Sequence, residues 1–229
     1  MKIFAVLHGQ TDLDTGGRIQ GNSDSPLNDI GRGQAHEMAK SLQSKGIDMI
    51  MMAPQSRSLE TAAIIGEHLS IEENKLVKGM KLCERDFGDY EGQLISENDM
   101  YALYSWNGNA PTPNGETIRE TAGRVIPYMN NMVKLAFRGK TVLLVVSGHV
   151  LRVLFWYFNG LPEAGKEHAI EIDECAVYEF ESDEIPPEMK DFQLILDKLN
   201  SVADDGKGKS DRVLTQAEID KLLAEMGKG

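Results

Sequence analysis

Cysteine is almost missing from this 229-residue chain, which carries only Cys83 and Cys175. Two distant cysteines cannot form a disulfide framework, and neither has a Cys or His neighbour at metal-ligand spacing. The cytosol is therefore the expected compartment, with no metal and no cofactor implied. Positive charge is also short: 24 Lys and Arg stand against 36 Asp and Glu, a formal charge of −12. That balance argues against nucleic acid or an anionic membrane surface as a partner, although a local basic pocket can still hold an anionic substrate. No apolar run reaches the ~18 residues that span a bilayer, and no charged-then-apolar leader opens the chain. Internal repeats are absent. What is present is 41% hydrophobic residues, enough to bury a substantial core.

The apolar residues fall into alternating strand and helix patterns. Ile3 to Leu7 reads as a buried, parallel-type strand that stops abruptly at His8 and Gly9. A loop rich in Gly, Asp and Ser follows, from Asp12 to Asn28. A helix is expected over 29–45, with Ala35, Met38, Ala39 and Leu42 at helical spacing and Gly46 at its end. The remaining expectations are a strand at 47–53, a helix at 58–69, a strand at 76–82 and an irregular segment at 94–114. A helix over 116–137 then leads to the strongest strand, 141–146, with a helix at 149–158 and β-rich segments at 170–181 and 191–199. Strands separated by helices predict a three-layer α/β/α domain on a mainly parallel sheet. Beyond residue 200 the chain turns polar and glycine-bearing, so residues 201–212 read as a flexible linker. An amphipathic helix is expected over 213–229.

A histidine at the carboxyl edge of a first strand sits where open α/β sheets bind ligands. The run Leu7-His8-Gly9-Gln10-Thr11 resembles the opening motif of the histidine phosphatase (phosphoglycerate-mutase-like) superfamily. Three further stretches, in the family's order, strengthen the resemblance over residues 1 to 200. Gly17-Arg18-Ile19-Gln20-Gly21, followed by Asp24-Ser25-Pro26-Leu27, is similar to the first loop. Ala53-Pro54-Gln55-Ser56-Arg57 is similar to the second-strand motif, and Leu82-Cys83-Glu84-Arg85 to the segment that bears the acid. The resemblance implies a phosphoglycerate-mutase-like fold and phosphohistidine chemistry without a cofactor. In that chemistry a histidine nitrogen attacks phosphorus and a carboxylic acid protonates the leaving oxygen. Those roles fall to His8 and Glu84, with Arg57 binding the phosphoryl group and Arg18 a further candidate.

Other positions of the same pocket depart from the family pattern. Leu7 stands where the family has arginine. Aligned without a gap, Ser147 takes the place of a second histidine, and Asp14 falls where a phosphate-binding asparagine is usual. Ser147 and His149 remain as phosphate-contact candidates, although a two-residue shift along the turn changes the direction of His149. Each lost preorganised donor costs ~10²–10³ in rate. Two functions stay open on this reading. One is a binding or regulatory module, a pseudoenzyme with little turnover, at the degenerate positions Leu7, Asp14 and Ser147. The other is an active phosphomonoesterase, or a mutase-like phosphoryl-transfer enzyme, working through His8 on a phosphorylated small molecule. Isolated, His8, Arg57 and Glu84 would each be ordinary turn or surface residues; their joint order gives them weight.

The irregular segment holds Tyr101, Tyr104 and Trp106, which either stack on an organic group or pack the segment onto the core. In the tail, Thr215 and Glu218 fit a capping box, and Ile219, Leu222, Leu223 and Met226 share one helical face. Leu214 to Leu223 resembles the N-terminal peptide of the flagellar motor switch protein, which in that family binds the chemotaxis response regulator. The alternatives are a helix that packs on its own domain or on the mate of a homodimer.

Overall fold

A computed structural model describes residues 2–94, 112–130, 139–160 and 170–181. All of them belong to one unit, Met1–Ile185, with Pro186–Gly229 forming a second. Tyr101, Tyr104 and Trp106, the expected 191–199 strand, the linker and the tail helix lie outside the described residues.

Four parallel strands and one antiparallel strand make the sheet. β1 (Lys2–Leu7), β2 (Met49–Met52), β3 (Leu76–Lys78), β4 (Thr141–Val146) and β5 (Val177–Glu181) lie in the order β3-β2-β4-β1-β5. β4 is central, paired in parallel with β1 and β2, and β5 runs antiparallel on the outer edge of β1. Because side chains alternate along a strand, Phe4, Val6, Ile50, Met52, Leu143 and Val145 all project from one face. There they pack on Ala35, Met38, Ala39 and Leu42 of α2 (Asp29–Leu42) and on Ala62 and Ile65 of α3 (Ser56–His68). On the opposite face α4 (Ile118–Tyr128) reaches Met51 through the Tyr128 hydroxyl, and it packs against α5 (Gly148–Asn159). The expected three-layer α/β/α architecture is the one observed.

Boundaries moved for local reasons. Within the loop after β1, Thr11 and Asp14 form a reciprocal capping box that starts a single turn, α1 (Asp12–Thr15), where only loop was expected. α2 ends at Leu42, three residues before the expected end at 45, and Gly46 then takes a φ of +64°. The expected 76–82 strand stops at Lys78, where the amide of Gly79 bonds the Met52 carbonyl and the chain tightens into a 3₁₀ turn at Met80–Leu82. Of the 170–181 segment, only Val177–Glu181 is strand; Cys175 turns the chain at a φ of +63°.

One backbone approach fixes the loop that carries His8. A Cβ on Gly31, in the first turn of α2, would lie 2.1 Å from the Gln10 carbonyl oxygen, and a Cβ on Gly9 would lie 2.3 Å from that of Gly31. Gly33, two residues on and so on another face of the helix, faces open space. Gly31→Ala is expected to cost about 2–3 kcal/mol in urea unfolding, since backbone has to move to admit the methyl. Gly33→Ala should instead gain roughly 0.5–1 kcal/mol from helix propensity alone. Equal effects at the two positions would contradict the close approach.

Candidate functional site

The parallel strands all end at the same edge of the sheet, and the candidate residues collect there. His8 follows β1, with its amide donating to the Val146 carbonyl at 3.1 Å. Arg57 lies in the first turn of α3, after β2. Ser147 and His149 open α5, after β4, and Glu84 follows the 3₁₀ turn beyond β3. This is the crevice at the carboxyl ends of strands where α/β sheets hold ligands.

His8 is half-buried and its tautomer is fixed from both sides. Nδ1–H donates to the Gly9 carbonyl at 2.9 Å, leaving Nε2 as the lone-pair nitrogen, which accepts from Arg57 Nε–H at 3.0 Å. Burial, then the Arg57 charge, lowers the His8 pKa; the Gly9 carbonyl, Asp14 and Glu84 oppose them. The ring is therefore neutral at pH 7, and its Nε2 is covered by the Arg57 guanidinium.

Arg57 is fully buried. Besides His8, it donates through Nη1 to the Ser23 carbonyl at 2.9 Å and through Nη2 to the Gly21 carbonyl at 2.8 Å. Glu91 holds that loop in place, accepting from the amides of Asn22 and Ser23 at 2.7 and 2.8 Å. A side chain at Gly21 would strike the same carboxylate, at 2.1 Å, and Gly21 adopts a φ of +57°. Thr61 completes the frame, accepting from the Gly9 amide at 3.0 Å and donating to the Arg57 carbonyl at 2.7 Å. The charges of Glu84, Asp14, Asp24 and Glu91 all act on Arg57.

Glu84 is buried against the start of α5. Its Oε1 accepts from the Arg85 amide at 2.7 Å, and Oε2 accepts from the His149 amide at 3.3 Å with the His149 ring Nδ1 3.7 Å away. Burial alone would push this carboxyl up. The contacts from His149 and the Arg85 amide, with the Arg57 charge, outweigh burial and hold it down to about 2. Burial in turn lowers the pKa of His149, against the pull of Glu84. Since the folded Glu84 pKa lies below its ordinary value, the stability it contributes is complete above about pH 4.5. That contribution is lost as pH falls towards 2, when folding opposes proton uptake. Acid unfolding of Glu84→Gln should accordingly show a flatter limb between those values than the parent; an unchanged limb would contradict the assignment.

The first turn of α5 explains Ser147. It is the N-cap residue, yet its side chain makes no cap hydrogen bond, because the His149 amide it would accept from is taken by Glu84. The Ser147 hydroxyl is left wholly buried without a partner. Sequence spacing turned His149 away from the pocket; the helix instead begins at Gly148 and brings it onto Glu84, edge-on to Phe87 at 4.9 Å.

The structure thus brings together His8, Arg57, Glu84 and His149. It does not bring Arg18 to them: that side chain is exposed and donates to the Gly92 carbonyl at 2.6 Å. Asp14, at the position where the family's asparagine is usual, has its oxygens engaged, Oδ2 by the Thr11 amide and hydroxyl at 2.8 and 2.9 Å and Oδ1 by Gln20 Nε2, while its charge reaches His8 and Arg57. Leu7 is half-buried at the end of β1, opposite Val146. Sequence reasoning missed Glu91 and Arg124. Arg124 donates to the carbonyls of Lys81 and Cys83 at 2.8 Å and Glu84 at 2.9 Å, and pairs with Glu116, clamping the segment that carries Glu84. No local pattern announces residues whose partners lie 40 or more positions away. Among the described residues no group of three or more His, Cys, Asp or Glu could hold a metal, and no helix is long and apolar enough to cross a membrane.

A histidine and a buried arginine thus lie at the carboxyl edge of an α/β sheet, with a buried carboxylate across from them. The chain belongs to the histidine phosphatase superfamily (branch 1), whose profile matches residues 3–194. It is 30% identical over 192 residues to the protein named "probable phosphoglycerate mutase GpmB" of Yersinia pestis, covering 81% of this chain and 87% of that one. Among solved structures it is similar to Bacillus stearothermophilus YhfR, with a TM-score of 0.71 and 26% identity over 82% of this chain and 96% of that chain. A mycobacterial glucosyl-3-phosphoglycerate phosphatase, in complex with VO3, shares the fold, with a TM-score of 0.69, 24% identity and coverage of 80% and 94%.

Proposed function

We propose that residues 1–200 form a phosphoryl-anion-binding module of the histidine phosphatase type that turns over little. The observation that carries this reading is electrostatic. Arg57 is buried with its donors spent on His8 and two backbone carbonyls, and the charges of Glu84, Asp14, Asp24 and Glu91 act on it before any dianion arrives. Leu7 and Ser147 add no charge where the family supplies it. Glu84, held ionised, lacks the proton a general acid must deliver. The test compares vanadate affinity with steady-state hydrolysis of phosphomonoesters by the purified protein. Binding without sustained hydrolysis supports the module; sustained hydrolysis abolished by His8→Ala would sink it.

The fixed His8 tautomer supports a second reading, an active phosphomonoesterase. Nε2 would attack phosphorus as the ester oxygen departs with a proton from Glu84, and water would then cleave the phosphohistidine. On this reading a bound phosphoryl dianion raises the Glu84 pKa enough to load that proton. Acid-quenched protein carrying phosphate on His8 would decide in its favour.

For the second unit, the proposal is that residues 213–226 dock on a chemotaxis or flagellar response regulator, tethered by the 201–212 linker. It rests on the capping-box pattern of Thr215 and Glu218 in the sequence and the helical spacing of Ile219, Leu222 and Leu223. The protein is expected in the cytosol. Titration of the full chain against an activated response regulator should show binding that Leu222→Asp removes; no binding would end the proposal.

A further inference from the structure

Two histidines stand at the carboxyl edge of the sheet, and their neighbours carry opposite charge. His8 Nε2 lies 3.0 Å from Nε of the buried Arg57. His149 Nδ1 lies 3.7 Å from Glu84 Oε2, and both of these side chains are buried. Environments of opposite sign separate the proton affinities of two like groups. A proton arriving at His8 meets a guanidinium, whereas one arriving at His149 meets a carboxylate. Glu84 itself is a poor seat for that proton. The Arg85 amide at Oε1 and the His149 amide at Oε2 both donate to its ionised form.

A phosphoryl dianion brings two further negative charges to a site where four carboxylates already act on Arg57, Glu84 most strongly. Leu7 and Ser147 supply no charge in return. Charge taken out of water without compensation is costly, so a proton from solvent is drawn in with the anion. Glu84 attracts that proton to His149. Two groups oppose it: Arg85, over the Phe87 ring that His149 meets edge-on, and Arg152 of its own helix. From α4, the charge of Arg124 falls on Glu84, and His8 at the end of β1 is neutral. Without an anion, burial holds the His149 pKa below the usual histidine value.

We infer that His149 is the proton-holding residue of the phosphoryl site: a dianion binds together with one proton from solvent, which makes the His149 ring an imidazolium with Nδ1–H facing Glu84 Oε2. The ion pair so formed cancels the strongest carboxylate charge on Arg57 and leaves His8 neutral. His149 acts through Glu84 and is a positioning residue, with no contact to the anion required. This rests on the phosphoryl-site reading above and holds with or without turnover.

Tungstate is the probe, because it stays a dianion at neutral pH and takes up no proton itself. Calorimetric titration of the full chain in buffers of different ionisation enthalpy should show about one proton taken up per tungstate bound. The complex holds the proton more tightly than the free protein, so binding weakens as pH rises. Affinity should fall by up to about tenfold per pH unit between the His149 pKa of the free protein and that of the complex, and stay level outside that window. Ring-nitrogen NMR should show His149 charging on tungstate binding and His8 staying neutral. His149→Asn keeps a side-chain donor but cannot hold the extra proton. It should bind tungstate without proton uptake and without the pH slope, with its melting temperature as the check on folding. Should that variant unfold, the ring-nitrogen titration of the parent decides alone. Tungstate binding with no proton uptake, or uptake that survives in His149→Asn, would overturn this inference alone. Failure to bind tungstate would overturn the phosphoryl-site reading and this inference with it.

Discussion

Replacing Arg57 with methionine should abolish vanadate binding, by about 100-fold or more, and cost about 3–5 kcal/mol in unfolding free energy. Methionine fills a similar volume, so the effect isolates the guanidinium. Without it the carbonyls of Gly21 and Ser23 lose their donors, at 2.8 and 2.9 Å, and His8 Nε2 loses its own at 3.0 Å. Each orphaned buried acceptor costs about 1–3 kcal/mol. Glu84 is then left buried without the arginine charge that helps keep it ionised. Lysine does not repair the damage, since one ammonium cannot reproduce three donors in a fixed fork. Vanadate titration and urea denaturation of Arg57→Met and Arg57→Lys check both parts. A methionine variant that binds vanadate within about threefold of the parent would remove Arg57 from the anion site.

The second large effect is a gain. Leu7→Arg is expected to raise phosphomonoester hydrolysis by ~10²-fold, the amount by which one preorganised donor alters rate. Leu7 is half-buried at the carboxyl end of β1, one residue before His8. An arginine stem can lie where the leucine lies while its head reaches the rim. The new cation would also relieve Arg57, freeing Nε from His8 when a phosphoryl group binds. Asp14→Asn in the same chain should add to the gain by lifting one of the four negative charges acting on Arg57. Steady-state rates with and without His8→Ala measure the effect. An unchanged rate in Leu7→Arg would show that missing positive charge is not what limits turnover.

The two predictions follow from different kinds of information. Leu7 was visible in the chain itself, as a hydrophobe in a place where a motif calls for charge. The same holds for the order of His8, Arg57 and Glu84, and for the strand that each of them follows. Those features are local: a buried apolar run, a glycine that permits a turn, a helix start after a strand. The helical spacing of Ala35, Met38, Ala39 and Leu42 was equally legible, and those residues are the ones buried against the sheet.

Contacts over long sequence distance were not legible. Glu91 governs the loop that holds Arg57 from 68 positions away, and Arg124 clamps Lys81, Cys83 and Glu84 from about 40. The direction of His149 turned on whether α5 begins one residue earlier, and Glu84 decided that by taking the amide a serine cap would have taken. Asp14 shows the same limit. Its identity suggested a charge facing phosphate, while its hydrogen bonds to Thr11 and Gln20 make it part of a helix start.

By itself, then, the sequence determined the scaffold and the cast of the site, because strand and helix periodicity and motif order are carried by neighbours. The tertiary structure decided the electrostatics: which charges act on Arg57 and which nitrogen of His8 is covered. Those are sums over groups that only folding brings together, and at short range in a buried site they outweigh the identity of any one residue.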